Sequence, residues 1–257
     1  MTTISHALTD SATMLRRNLR HAMRYPALSL SGVAVPVIFL LVFVYVLGGT
    51  LGAGIPGGSY IDYLAPGIIL MTVTSATVAA AVAISVDLTG GIIARFRTMA
   101  IFRPAVLAGH VAGYVIQTML SVVIVIGVAL LVGFRPTATP VEWLAVIGLL
   151  AVLGFALTWL STALGMLAKN PETASNIVLP LTLLPLIGST FVPTASMSAP
   201  VAAFAENQPF TPVTETIRGL LMGTQIGTSG ILALGWCVLF TVVGYLWSKR
   251  LFNRRQR

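Results

Sequence analysis

The chain has 257 residues, of which 56% are hydrophobic and only 9% charged, with 15 basic and 7 acidic side chains. An ordinary soluble domain carries roughly a quarter charged residues, so this composition excludes a water-soluble globule. Where the few charges lie decides the class, because a carboxylate or guanidinium at the centre of a bilayer costs about 3 kcal/mol on insertion scales.

Six charge-free intervals stand out, at residues 25–61, 63–86, 104–134, 143–168, 173–205 and 219–248. About 20 helical residues cross a hydrocarbon layer ~30 Å thick, so each interval has room for one span and some loop. A β-barrel would show segments of about 10 residues alternating in polarity, whereas runs such as Val33–Leu47 and Gly113–Val132 are apolar on all sides. The expected fold is an all-α integral membrane protein in a single domain, with six transmembrane helices near 28–48, 62–86, 107–132, 142–167, 174–192 and 230–248.

Ahead of the first span, residues 5–25 read as an amphipathic interfacial helix. Leu8, Ala12, Leu15, Leu19 and Ala22 recur at spacings of three and four, and Arg16, Arg20 and Arg24 form a basic stripe towards lipid headgroups. The alternative is a disordered basic tail. A secretory signal peptide is a poor reading, since about 25 polar residues precede a run long enough to span. Among the basic residues only Arg135 and Arg218 fall on the far side of the six spans. The positive-inside rule then places both termini in the cytoplasm. The excess of arginine over lysine, with abundant alanine and glycine, points to a bacterial source and hence to the plasma (inner) membrane.

Between spans two and three, residues 88–103 form a cytoplasmic segment too short for a domain. Ile92, Phe96, Met99 and Phe102 fall on one helical face, with Arg95 and Arg97 beside it and Arg103 at its end. A short helix with apolar anchors and fixed charge suits docking into a groove on a soluble partner. Equally, the apolar residues could lie against lipid while the arginines bind headgroups.

Span five carries Pro180 and Pro185, which kink a helix and free backbone carbonyls, with Thr182 nearby to satisfy them. After it, residues 195–226 hold two apolar pieces too short to cross and are broken by prolines. An external re-entrant segment fits this pattern, with Glu215 and Arg218 paired at i, i+3 on its second arm; a plain surface helix is the alternative.

Several chemistries are missing. Asp62, Asp87, Glu142 and Glu172 all fall at span ends, which counts against a proton-coupled carrier and, less strongly, a sodium-coupled one. His6 and His21 lie in the basic N-terminal segment and His110 near the cytoplasmic end of span three, so no Ser/His pair forms with Ser189 near the external face. No cluster has metal-ligand spacing, and the single cysteine, Cys237, excludes a disulfide framework. The basic residues sit in short clusters at membrane edges, unlike a nucleic-acid surface. Neither lysine, Lys169 or Lys249, stands in a Walker A loop, so no nucleotide cofactor is expected in this chain. Its energy would come from a separate subunit.

Four stretches, in order and over essentially the whole chain, resemble the ABC type-2 permeases and, within them, the daunorubicin-resistance exporter branch. They are Tyr63-Leu64-Ala65-Pro66-Gly67; Arg95-Phe96-Arg97-Thr98-Met99 with Arg103; Asn170-Pro171-Glu172-Thr173-Ala174; and Phe191-Val192-Pro193-Thr194 through Met197, Asn207-Gln208-Pro209 to Glu215 and Arg218. The resemblance implies a permease subunit of an ATP-binding-cassette exporter. A second permease chain, identical or related, would complete the pathway, and a separate ATPase subunit would bind ATP and magnesium. It further implies that Ile92, Arg95, Phe96, Arg97, Met99 and Arg103 form a coupling helix for that ATPase. Phe191, Pro193, Met197, Asn207, Pro209, Glu215 and Arg218 would belong to an external re-entrant gate. Spans with almost no buried charge suit a hydrophobic or amphiphilic cargo, a drug or a lipid. The rival readings are a stand-alone secondary efflux carrier and a membrane immunity or scaffold protein without transport.

Overall fold

The computed structural model describes residues 26–52, 59–90 and 103–254. The interfacial helix expected at 5–25 and the coupling-helix residues Ile92, Arg95, Phe96, Arg97 and Met99 lie outside the described residues. Every regular element among the described residues is helical. Apart from short turns, they are in chain order α1 (Pro26–Leu41), α2 (Tyr60–Thr89), α3 (Arg103–Val132), α4 (Pro140–Leu167), α5 (Pro171–Leu183), α6 (Ala199–Asn207), α7 (Phe210–Met222) and α8 (Ser229–Arg254). Four of these, α2, α3, α4 and α8, are long and apolar enough to cross a membrane. Two shorter apolar segments accompany them. α1 contains Pro36 and widens into a π turn at Val42–Val46. α5 contains Pro180 and tightens into a 3-10 turn at Leu184–Ile187 around Pro185.

The helix starts are written in the sequence. Thr139-Pro140 opens α4 with a capping box: the Glu142 carboxylate accepts from the Thr139 amide at 2.6 Å, and Glu142 N–H donates to Thr139 Oγ1 at 3.4 Å. Asn170-Pro171 opens α5, with Asn170 Oδ1 accepting from Thr173 N–H at 2.7 Å. At the other end of the short helix α7, Gly223 adopts φ +69°, a left-handed cap that a β-carbon would strain.

α2 is the centre of the bundle. It packs against α1, α3, α4, α5 and α7, while α8 packs chiefly on α4 and α7. Its first half is buried almost continuously from Tyr60 to Thr74. The outer helices instead expose large apolar side chains, among them Leu120 and Val123 on α3, Val141 and Leu144 on α4, and Ile231 and Val238 on α8. A lipid-facing surface accounts for that inversion of the soluble pattern, because hydrocarbon solvates leucine as well as a protein core does.

Close approach between helices depends on small residues. A β-carbon on Gly165 of α4 would collide with the Ala81 carbonyl of α2, and one on Gly244 of α8 would sit 2.6 Å from Leu160 N on α4. Beside that second contact, Ser248 donates to the Trp159 carbonyl at 3.1 Å. The buried hydroxyls of Thr72, Thr158 and Thr162 donate to carbonyls one turn back, the internal satisfaction that an apolar solvent demands. His110 is buried, with Nε2 3.2 Å from the Ala80 carbonyl, which makes it a packing residue between α3 and α2.

Gly165→Ala forces a methyl into backbone, so it is expected to cost about 1–3 kcal/mol and to lower the melting temperature of the purified protein. Gly148→Ala, where nothing lies within 4 Å of an added β-carbon, is expected to leave it unchanged. Equal melting curves would contradict the packing described.

Candidate functional site

The prolines of α5 decide where the site forms. Pro180 and Pro185 have no N–H to donate, so the helix tightens and stops at Ile187, and the chain continues inward as Gly188, Ser189, Thr190 and Phe191, all buried. Thr182 does not repair the loss: its hydroxyl donates to the Val178 carbonyl at 3.3 Å, one turn back, away from the carbonyls that the prolines leave without a helical donor. Two close approaches let this segment in. Gly67 of α2 lies directly against Thr190, and Gly188 lies against Gln208 Nε2 and Thr211 Oγ1. A larger residue at Gly67 would run into the side chain and Cα of Thr190, and one at Gly188 would have to displace the Gln208 and Thr211 side chains.

Arg218 of α7 points into the junction, its side chain 8% exposed. Nε and Nη2 donate to the Tyr63 carbonyl at 3.2 and 3.1 Å, and Nη2 also donates to the Ser189 carbonyl at 2.7 Å. Nη1 pairs with Glu215 Oε1 at 2.7 Å. The guanidinium carbon lies 3.8 Å from the centre of the Tyr63 ring. Glu215 is 39% exposed, so its Coulomb attraction is screened by solvent and the pair is not the main stabilisation. Two carbonyls and an aromatic face hold the charge instead, by charge-assisted hydrogen bonds and cation–π attraction.

Further bonds tie the same region together. Tyr63 donates through its hydroxyl to the Ser189 carbonyl at 2.8 Å, and Tyr60 to the Phe191 carbonyl at 3.3 Å. The Phe191 ring packs on Phe43, with centroids 4.3 Å apart, which brings in the end of the first span. Gln208 Nε2 donates to Thr211 Oγ1 at 3.1 Å, and Thr211 donates to the Ala205 carbonyl at 2.6 Å, linking α6 to α7. Nearby, Arg135 Nη1 caps the end of α3 through the Leu130 and Phe134 carbonyls at 2.7 and 3.0 Å, and its amide donates to Asp62 at 3.1 Å. Three buried polar atoms, Ser189 Oγ, Thr190 Oγ1 and Gln208 Oε1, have no hydrogen-bond partner within the described residues.

Of the residues proposed for the gate, Phe191, Glu215 and Arg218 come together at this junction, and Pro209 starts α7 beside it. Pro193 and Met197 are only part buried, and Asn207 is exposed, bonding back to the Ala203 carbonyl at 2.8 Å. Thr182 and Pro185 are buried, and Pro180 is exposed. Arg103 opens α3. Reading the sequence for charge pairs and prolines misses Tyr60, Tyr63, Gly67 and Gly188. Tyr63 and Gly67 sit inside the motif that carries the resemblance, but their roles depend on a contact with residues more than a hundred positions away. Among the described residues no group of His, Cys, Asp or Glu could hold a metal, and Cys237 is buried within α8.

The model of the ABC-2 type transporter family matches residues 10–222. The chain belongs to the ABC-2 type transporter family. A relative from Streptomyces coeruleorubidus, described as a daunorubicin resistance ABC transporter permease protein, DrrB1, is 30% identical over 223 residues, covering 85% of this chain and 77% of the relative. A second, the probable doxorubicin resistance ABC transporter permease protein DrrC of Mycobacterium tuberculosis, is 22% identical over 223 residues, with 84% and 80% covered. As an ABC-2 permease with several apolar helices, this is a multi-pass membrane protein and a membrane subunit of the ABC exporter class, a class that implies an ATP-binding partner subunit. The family match takes in the whole Arg218 junction, which lies within residues 60–222.

Tyr63→Phe removes one hydroxyl bond to the Ser189 carbonyl and keeps the ring under Arg218. It is expected to cost about 1 kcal/mol, whereas Tyr63→Ala loses the ring as well and is expected to cost about 3 kcal/mol or more. Thermal unfolding in detergent separates the two; equal losses would contradict the role given to the ring.

Proposed function

We propose that the chain crosses the bacterial plasma membrane six times, with both termini in the cytoplasm and the Arg218 junction at the external end. Four crossings are α2, α3, α4 and α8; the first and fifth are α1 with its π turn and α5 with its 3-10 turn, the latter tightened around Pro185. Only Arg135 and Arg218 of the basic residues then face outward, which follows the positive-inside pattern.

On this reading two permease chains enclose the translocation pathway, and separate ATPase subunits that bind ATP and magnesium dock beneath them. The loop between α2 and α3, with Arg103 at the start of α3, carries the contact: Ile92, Phe96 and Met99 as anchors, Arg95, Arg97 and Arg103 as orienting charges. The observation that carries the proposal is the continuity of α2. It is a single helix of 30 residues that begins at the Arg218 junction and ends at the residue before Gly90, where that loop starts. At 1.5 Å per residue it is about 45 Å long, so a displacement of the loop reaches the opposite face through one packed element.

The hairpin of α6 and α7 closes the external end as a gate. Cargo is a hydrophobic or amphiphilic drug or lipid, in keeping with walls that bury almost no charge and with the drug-resistance names of the relatives. A stand-alone carrier finds no support in the residues, since the acidic side chains Asp62, Asp87, Glu142 and Glu172 lie at helix ends.

Replacing Arg95 and Arg97 together by glutamate is expected to leave membrane insertion intact while abolishing co-purification with the ATPase and cargo export. Unchanged co-purification and transport would refute the docking assignment.

A further inference from the structure

Arg218 keeps one hydrogen bond on α7, to Glu215, and sends the others elsewhere, to the carbonyls of Tyr63 in α2 and Ser189 beyond α5. The same three segments also touch through glycines: Gly67 lies against the side chain and Cα of Thr190, and Gly188 against the side chains of Gln208 and Thr211. Ser189, Thr190 and Thr211 are sealed inside, at 3%, 1% and 8% exposure. Tyr60 and Tyr63 add hydroxyl bonds from α2 to the same inward-running strand of chain.

We propose that Arg218 is the positioning residue that fastens the external end of α2, the end of α5 and the α6–α7 hairpin into one rigid block. When α2 is displaced from the cytoplasmic side, the hairpin travels with it. Opening to the outside then takes place at the margin of the block, against the second permease chain, and not by parting α7 from α2. The inference rests on the exporter reading above and adds to it where the gate breaks.

The chemistry of the residue supports this assignment. A planar guanidinium reaches two carbonyls and Glu215 at once while stacking on Tyr63; a lysine ammonium at the same place is a point charge that cannot keep all four contacts. Parting the junction would take three hydrogen bonds and the Tyr63 ring away from the guanidinium and leave a buried cation short of acceptors. Arginine at this position therefore resists opening along this seam.

The test uses single cysteines in a Cys237→Ala parent, assembled with its ATPase in lipid vesicles and treated from outside with a membrane-impermeant maleimide. Ser189→Cys and Thr211→Cys report on the interior of the block, and Ala195→Cys, at an exposed position, is the control. In both the nucleotide-free and the vanadate-trapped states, the two interior thiols are expected to react about tenfold or more slowly than the control, because only local opening exposes them. Adding Arg218→Lys is expected to remove that protection. Rapid labelling of either interior thiol on trapping would overturn the rigid block; protection that survives Arg218→Lys would overturn the role of Arg218. The parent measurement stands whether or not the lysine variant folds. A parent that shows no ATP-driven transport before any label is added would overturn the exporter reading, and this inference with it.

Discussion

A guanidinium buried among apolar helices needs fixed acceptors for its N–H groups, and in this permease that need organises one end of the molecule. Arg218 obtains them from the Tyr63 and Ser189 carbonyls, with the Tyr63 ring beneath it and Glu215 at its side. The Ser189 carbonyl is there to accept because Pro180 and Pro185 end α5 early and send the chain inward. Gly67 and Gly188 leave the space for it to enter. Without the proline break there is no inward segment, without the glycines no room for it, and without the inward segment the charge would be left short of partners. Removing one member of such a set is far costlier than the net worth of any single bond, since an uncompensated buried charge remains.

The other arginine at this end follows the same logic. Arg135 turns its guanidinium onto the carbonyls of Leu130 and Phe134 at the C-terminal end of α3, where a cation is favoured by the helix dipole. Arg135 and Arg218 are thus both committed to backbone carbonyls. A charge count treats them as the minority that fixes orientation; the structure gives each a local task. From this end α2 runs unbroken through the middle of the bundle to the far side. Small-residue contacts such as Gly165 on Ala81 leave it little freedom to bend independently of α4, so its two ends are mechanically linked.

Much of the fold was legible in the sequence because the bilayer imposes one strong rule, the exclusion of charge. The intervals free of charge locate α2, α3 and α4 to within a few residues of their observed bounds, whereas α8 starts well inside its interval and runs past it through Lys249 and Arg250. Where proline intervenes, the same rule gives a length but not a conformation. A full span is expected at 174–192, yet the helix yields to a 3-10 turn after Leu183, because each proline removes a hydrogen bond that the count of apolar residues does not register. Asn170-Pro171-Glu172-Thr173, quoted as part of a family resemblance, proves to be a helix cap with an explicit bond from Thr173 N–H to Asn170. The junction was half legible. Glu215 and Arg218 show their pairing by spacing alone, but the partners that matter more, Tyr63 and Ser189, are 155 and 29 residues from Arg218 and leave no local signature. Tyrosine near a span end reads as an interfacial anchor until tertiary contacts are known.

An account in which a chain without ionisable groups in mid-membrane does transport work requires that work to be supplied from outside it. The most direct measurement is reconstitution of the purified permease in proteoliposomes, with and without the ATP-binding subunit, while following movement of an amphiphilic drug. Movement that needs the second subunit and hydrolysable ATP, and that ignores imposed proton or sodium gradients, is the predicted result. Transport by the permease alone in response to an ion gradient would contradict it.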